Sequence, residues 1–171
     1  MNFIKKLMPK TFSFHAYKSL VRKFRKIITL FEKNNLPSLQ KETQNFLMFI
    51  EKAKETADSI TFHEFENLAL HLESLALDMR LHDISFNKYI RGFLKDMKTV
   101  FFFLKKFPCT KGNLLKSQIL INKNIAQIKE MIFSLNLQKN GSFPEKLKYG
   151  SIYRKFENCF LILDKIVREI R

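Results

Sequence analysis

From Tyr17 to Ile170 the apolar residues return every three or four positions, and almost nowhere every second. Residues three and four apart share a helix face, whereas residues two apart share a strand face. A chain with this rhythm folds as amphipathic helices. It also has few places to turn, with four glycines and four prolines in 171 residues. All-β folds need many turn signals, so this scarcity argues against them.

Five breaks divide the rhythm into six segments. Tyr17, Leu20, Phe24, Ile27 and Phe31 form the first stripe, which stops at "NNLP" (34–37). Pro37 suits the first position of a second helix, whose stripe is Leu39, Phe46, Ile50, Ala53 and Ala57. Residues 58–65 form a short break in which Thr61 and Glu64 have the spacing of a capping box. Phe65, Leu68, Leu72, Leu75 and Met79 make the third stripe, and residues 82–85 break it. The fourth runs through Ile90, Phe93, Met97, Val100 and Leu104 and ends at residues 105–112. The fifth holds Ile121, Ile125, Ile128, Ile132 and Leu135. Residues 138–151 read as the longest connection, and the sixth stripe is Ile152, Phe156, Phe160, Leu163, Val167 and Ile170. Six amphipathic helices with short links predict an all-α antiparallel bundle in one domain. Two groups of three, roughly 11–82 and 83–171, are its natural halves. Phe24, Leu72, Met97, Ile128 and Phe160 are the expected centres of the core.

Basic residues outnumber acidic ones 31 to 16, a net charge of +15. Such an excess brings in anionic partners, either nucleic acid or an anionic membrane surface. The Lys and Phe content also matches the codon bias of an AT-rich genome. The excess is greatest near the start, where Lys5, Lys6, Lys10, Lys18, Arg22 and Lys26 are the candidate membrane or anion contacts. In "KSLVRKFRK" (18–26) the apolar Leu20, Val21 and Phe24 belong to the core stripe. They are not free to stack on bases, so specific nucleic-acid binding is not expected. The apolar runs "VFFFL" (100–104) and "CFLIL" (159–163) are far short of the ~20 residues that span a bilayer. "MNFIKKLMPK" has too short an apolar run for a secretory signal, and the expected location is cytoplasmic. Cys109 and Cys159 have no metal-type spacing. His63 and His71 with Glu64 or Glu66 are a weak metal-ligand pattern, and solvated or half-buried histidines are the simpler reading. No glycine-rich phosphate loop, GxSxG, HExxH or CxxC is present. With no nucleophile–base or acid–base constellation, an enzyme is not expected.

Four stretches, in order, resemble a known family. "FIKKLMPKTFSFHAY" (3–17), "SLQKETQNFLMFIEKAKET" (38–56), "ITFHEFENLALHLESLALDM" (60–79) and "KYGSIYRKFENCFLILDKIVREI" (148–170) are similar to the PhoU-like accessory proteins of Pit-type phosphate transporters. The resemblance spans the chain, which is shorter than members usually are, and no single motif is stringent. It implies two three-helix bundles packed side by side. It also implies Glu/Asp-x-x-x-Asp motifs, in which one helical turn puts two carboxylates on one face to hold iron or zinc. The corresponding pairs here are Glu42 and Phe46, Glu73 and Leu77, Asn122 and Ala126, and Glu157 and Leu161, with Asp164 a remaining outer acid. At three of the four places the first acid is kept and the second position is apolar. A cation that needs several oxygen ligands finds too few, so no metal and no other cofactor is expected. The resemblance implies a non-enzymatic accessory or regulator of inorganic phosphate transport. It would act at the cytoplasmic face of the inner membrane, with a Pit-type phosphate permease as partner and a homodimer compatible with the sequence. A helical interaction module unrelated to phosphate and a basic nucleic-acid-binding helical protein are the alternatives.

Overall fold

A computed structural model describes residues 14–53, 59–82, 87–105, 109–138 and 141–170. They form α1 (Phe14–Lys33), α2 (Pro37–Ala53), α3 (Ser59–His82), α4 (Lys88–Leu104), α5 (Lys111–Leu137) and α6 (Phe143–Glu169). No strand occurs among the described residues. The fold is an all-α helical bundle, as the apolar spacing predicts.

Local chemistry fixes several helix ends. At the end of α1 the Leu36 amide donates to the Phe31 carbonyl (2.9 Å) and the Asn35 amide to that of Glu32 (3.0 Å). Asn35 takes the left-handed conformation (φ 54°) that closes such a motif, and Pro37 starts α2 directly after it. Asn87 caps α4 by accepting from the Ile90 amide (3.0 Å), and Thr110 caps α5 by accepting from the Asn113 amide (3.2 Å).

Two boundaries differ from the sequence reading. α6 begins at Phe143, not near Ile152. Ser142 stands at the N-cap position, and Pro144 and Glu145 suit a first turn. Residues 143–151 contain no fully buried side chain, only Tyr149 packing partly on the core, so no apolar stripe announces them. α3 begins at Ser59, which places Thr61 inside the helix rather than at its cap. The Glu64 carboxylate lies instead 3.6 Å from Lys165 of α6. Ala57 of the second stripe lies outside the described residues.

The helices close into a ring. α1 packs on α2 and α3, α2 on α4, α4 and α6 on α5, and α6 returns to α3, while α4 and α6 also touch. Among the described residues the α2 and α3 backbones do not approach each other, and neither do those of α1 and α4. Large side chains fill the space between them. Phe46 of α2 lies 6.0 Å from Phe24 of α1, 5.7 Å from Phe65 of α3 and 4.8 Å from Phe101 of α4, measured between ring centroids. A second aromatic group joins Phe93 of α4 to Tyr153 (6.0 Å) and Phe156 (5.5 Å) of α6. Phe24, Leu72, Met97, Ile128 and Phe160 are all fully buried. Two buried polar side chains are satisfied within this core: Thr43 donates to the Leu39 carbonyl (2.7 Å), and Asn124 donates to Asp96 (2.9 Å) and to the Leu120 carbonyl (2.8 Å). Among the described residues one carboxylate oxygen each of Glu42, Glu64 and Asp164 is buried without a hydrogen bond.

The long pair α5 and α6 outruns the rest of the core. The last buried residue of α5 is Ile128 and the first of α6 is Ile152. Between them Phe133, Leu137, Phe143 and Leu147 stay 58–74% exposed.

Two substitutions test this packing. Phe46→Ala removes the ring shared by four helices and should cost roughly 3–5 kcal/mol, read from chemical denaturation. A cost below about 1 kcal/mol would mean that the neighbouring rings close over the gap. A β-carbon at Gly150, inside α6, would meet nothing within 4 Å. Gly150→Ala should therefore stabilise the fold by about 0.4–1 kcal/mol, seen as a raised denaturation midpoint.

Candidate functional site

The acids singled out by the sequence do not converge. Glu42 of α2 is buried, with Oε2 3.6 Å from the Lys105 ammonium at the end of α4. The same ammonium lies 4.6 Å from the centroid of the Phe102 ring. Glu73 of α3 is ion-paired with Lys26 of α1. Glu157 of α6 is half-buried and lines a cleft of about 430 Å³ against α5, with Lys129, Asn136 and Arg154. Asp164 of α6 is buried, with Oδ2 2.8 Å from Arg168 one turn on. It lines a different cleft, of about 480 Å³, with His71, Asn158, Leu161 and Lys165. Each acid therefore has basic neighbours of its own.

The apolar partners of these acids divide as well. Phe46 is in the core, while Leu77 and Leu161 are 38% and 39% exposed. Asn122 and Ala126 lie on an exposed part of α5. The weak histidine pattern disperses: His63 is exposed, Glu64 pairs with Lys165, and Glu66 receives Lys23 at 2.7 Å. His71 is half-buried, and burial together with the nearby Lys155 charge lowers its pKa, so it is neutral at pH 7. Among the described residues no group of three or more His, Cys, Asp or Glu is placed to hold a metal ion. The Cys159 thiol is wholly buried and burial pushes its pKa up to about 12. It is no thiolate at neutral pH, and hence no nucleophile.

Ion pairs run from helix to helix. Beyond those above, Lys123 of α5 lies 3.7 Å from Asp96 of α4, and Lys155 of α6 lies 2.6 Å from Asp78 of α3. Exposed pairs contribute little, about 0–1 kcal/mol. The Lys105–Glu42 and Lys155–Asp78 pairs are mostly buried, and removing one partner there would strand a charge away from water.

These pairings leave the surface basic. On α1, Lys18 and Arg22 are exposed on the outer face with Arg25 and Lys33, while Lys26 is held on Glu73. Lys5, Lys6 and Lys10 lie outside the described residues. A second basic group, which the sequence reading missed, is on α4. Arg91, Lys95 and Lys98 line a cleft of about 330 Å³ beside the start of α2. Their spacing of four and then three residues was a usable signal, but only the packing of α2 on α4 turns that helix face into a cleft wall.

No family model matches the chain, and no curated protein or solved structure matches it either. No helix among the described residues is long and apolar enough to cross a membrane.

Elemental analysis of protein purified without chelator and then dialysed should find no stoichiometric iron or zinc. A tightly held ion in every chain would place ligands where the separated carboxylates above do not.

Proposed function

We propose that this chain works by docking rather than by chemistry. In this reading it is a non-enzymatic accessory of inorganic phosphate transport, held at the cytoplasmic face of a membrane beside a Pit-type permease. The observation that carries the docking reading is the division of charge. Glu42, Glu64, Glu66, Glu73, Asp78, Asp96 and Asp164 are taken up in ion pairs. Exposed cations such as Arg22, Arg25 and Lys33 on α1 and Arg91 and Lys95 on α4 have no such partner among the described residues. A cationic outer face is attracted to an anionic bilayer by about 1 kcal/mol per basic residue near the surface. The exposed Phe133, Leu137, Phe143 and Leu147 on α5 and α6 offer apolar contact elsewhere on the surface. The link to phosphate transport rests on the resemblance in sequence alone.

Recovery of the tagged protein from native membranes tests the partner: a Pit-type phosphate permease should co-purify. Recovery with other membrane proteins only would leave a docking module unrelated to phosphate. Sedimentation with anionic vesicles tests the charge. Binding should be reversible and should vanish near 1 M salt, where the Debye length falls to about 3 Å. Equal binding to neutral vesicles would overturn the electrostatic part. A strong salt-dependent shift of random-sequence DNA without vesicle binding would favour nucleic acid as the partner.

A further inference from the structure

We propose that the cleft between the start of α2 and the outer face of α4 binds a phosphomonoester-type dianion that carries an apolar body. Arg91, Lys95 and Lys98 stand on its wall at four- and three-residue spacing, one above another on α4. No acidic residue lines the cleft. The nearest acid along α4, Asp96, is bonded to Asn124 of α5 and paired with Lys123. Glu42, one turn along α2, faces Lys105. Lys23, Lys26, Lys105, Lys123, Lys155, Lys165 and Arg168 have an acidic partner, whereas these three have none among the described residues. Like charges at this spacing repel by a few tenths of a kcal/mol per pair, and a doubly charged anion between them relieves that repulsion.

The rest of the lining selects the kind of anion. Leu36, Pro37, Leu39 and Leu94 provide an apolar surface beside the cations. A bare inorganic ion would leave that surface wet, whereas an ester or aryl group would cover it. The α2 start adds donors. Leu36 stands where a capping side chain would be and Pro37 has no amide hydrogen, so the Ser38 and Leu39 amides are uncapped. The first turn of α2 also has no acid. The closed α1–α2 corner at Asn35 and Pro37 holds this wall in place before a ligand arrives. The three cations are the site, and the helix start supplements them.

This site does not depend on the phosphate-transport reading, because its test uses a soluble ligand and no permease. Calorimetry on the full chain compares phenyl phosphate with inorganic phosphate at low salt. Phenyl phosphate should bind once per chain and more tightly than inorganic phosphate. The triple variant Arg91→Gln/Lys95→Gln/Lys98→Gln should weaken binding by roughly tenfold or more, since each loses a charge-assisted hydrogen bond. Arg22→Gln/Arg25→Gln/Lys33→Gln removes the same charge from α1 and should weaken it by less than about threefold. Ser38→Asp supplies a second check on a folded protein. An acid in the first turn should leave the helix as stable or more so, yet repel the dianion and weaken binding. Equal losses in the two triple variants, or unchanged affinity in Ser38→Asp, would overturn the proposal. Vesicles of phosphatidic acid separate two sources of the same chemistry. Displacement of the bound chain by phenyl phosphate would identify a lipid headgroup as ligand, and binding of phenyl phosphate without displacement would identify a soluble ester.

Discussion

The ring of Phe46 lies 4.8 Å from that of Phe101 and nearly parallel to it, at 18°. That stack joins α2 to α4, one of the two helix contacts that link α1, α2 and α3 to α4, α5 and α6. The same Phe46 ring meets Phe24 and Phe65, so one side chain spans four helices. The geometry requires something of this size. Where six helices close into a ring, those facing across it cannot all touch by their backbones, and small side chains would leave a void. Protein interiors do not tolerate such voids, because each lining atom then loses its packing partners. Codon bias is enough to account for a chain rich in phenylalanine. The structure shows that nine of them, Phe24, Phe31, Phe46, Phe62, Phe65, Phe93, Phe101, Phe156 and Phe160, are at most 1% exposed.

The place of Phe46 also clarifies the resemblance. The pattern of paired acids calls for a second carboxylate at this position. A carboxylate there would sit at the centre of the aromatic core, where an unpaired charge is costly. The chain has committed that position to packing. Leu77 and Leu161 are different, being more than a third exposed, and an acid could stand at either without entering the core. Nothing in the structure explains why those two positions are apolar.

Charge follows from the same economy of space. The acids are few, and seven of them are paired, most across helix boundaries where a long lysine can reach its neighbour. The excess of cations is left on the outer faces of the helices, among them α1, α2, α4 and α5. A net charge of +15 is tolerable only with the cations spread in this way, since self-repulsion opposes compaction. Anion binding, at the surface or in the α2–α4 cleft, lowers that repulsion.

The helices were legible because their cause is local. Three-and-four spacing dictates a helix wherever one face is buried, and Phe24, Leu72, Met97, Ile128 and Phe160 were recognisable as core from spacing alone. The start of α6 was not legible, because residues 143–151 bury no side chain fully and apolar spacing reports only burial. Thr61 had the right neighbours for a cap, but Glu64 found Lys165 across the α3–α6 contact instead. The basic stretch of α1 could be read from composition. Which cations remain outward could not, because Lys26 and Glu73 are 47 positions apart in sequence and meet only when α1 packs on α3. The cleft of Arg91, Lys95 and Lys98 is likewise a product of two helices. The sequence by itself determined six amphipathic helices, their buried faces and the surplus of positive charge. Only the tertiary structure decided which charges cancel, and which cations are left to line a cleft, since both depend on distances between residues remote in the chain.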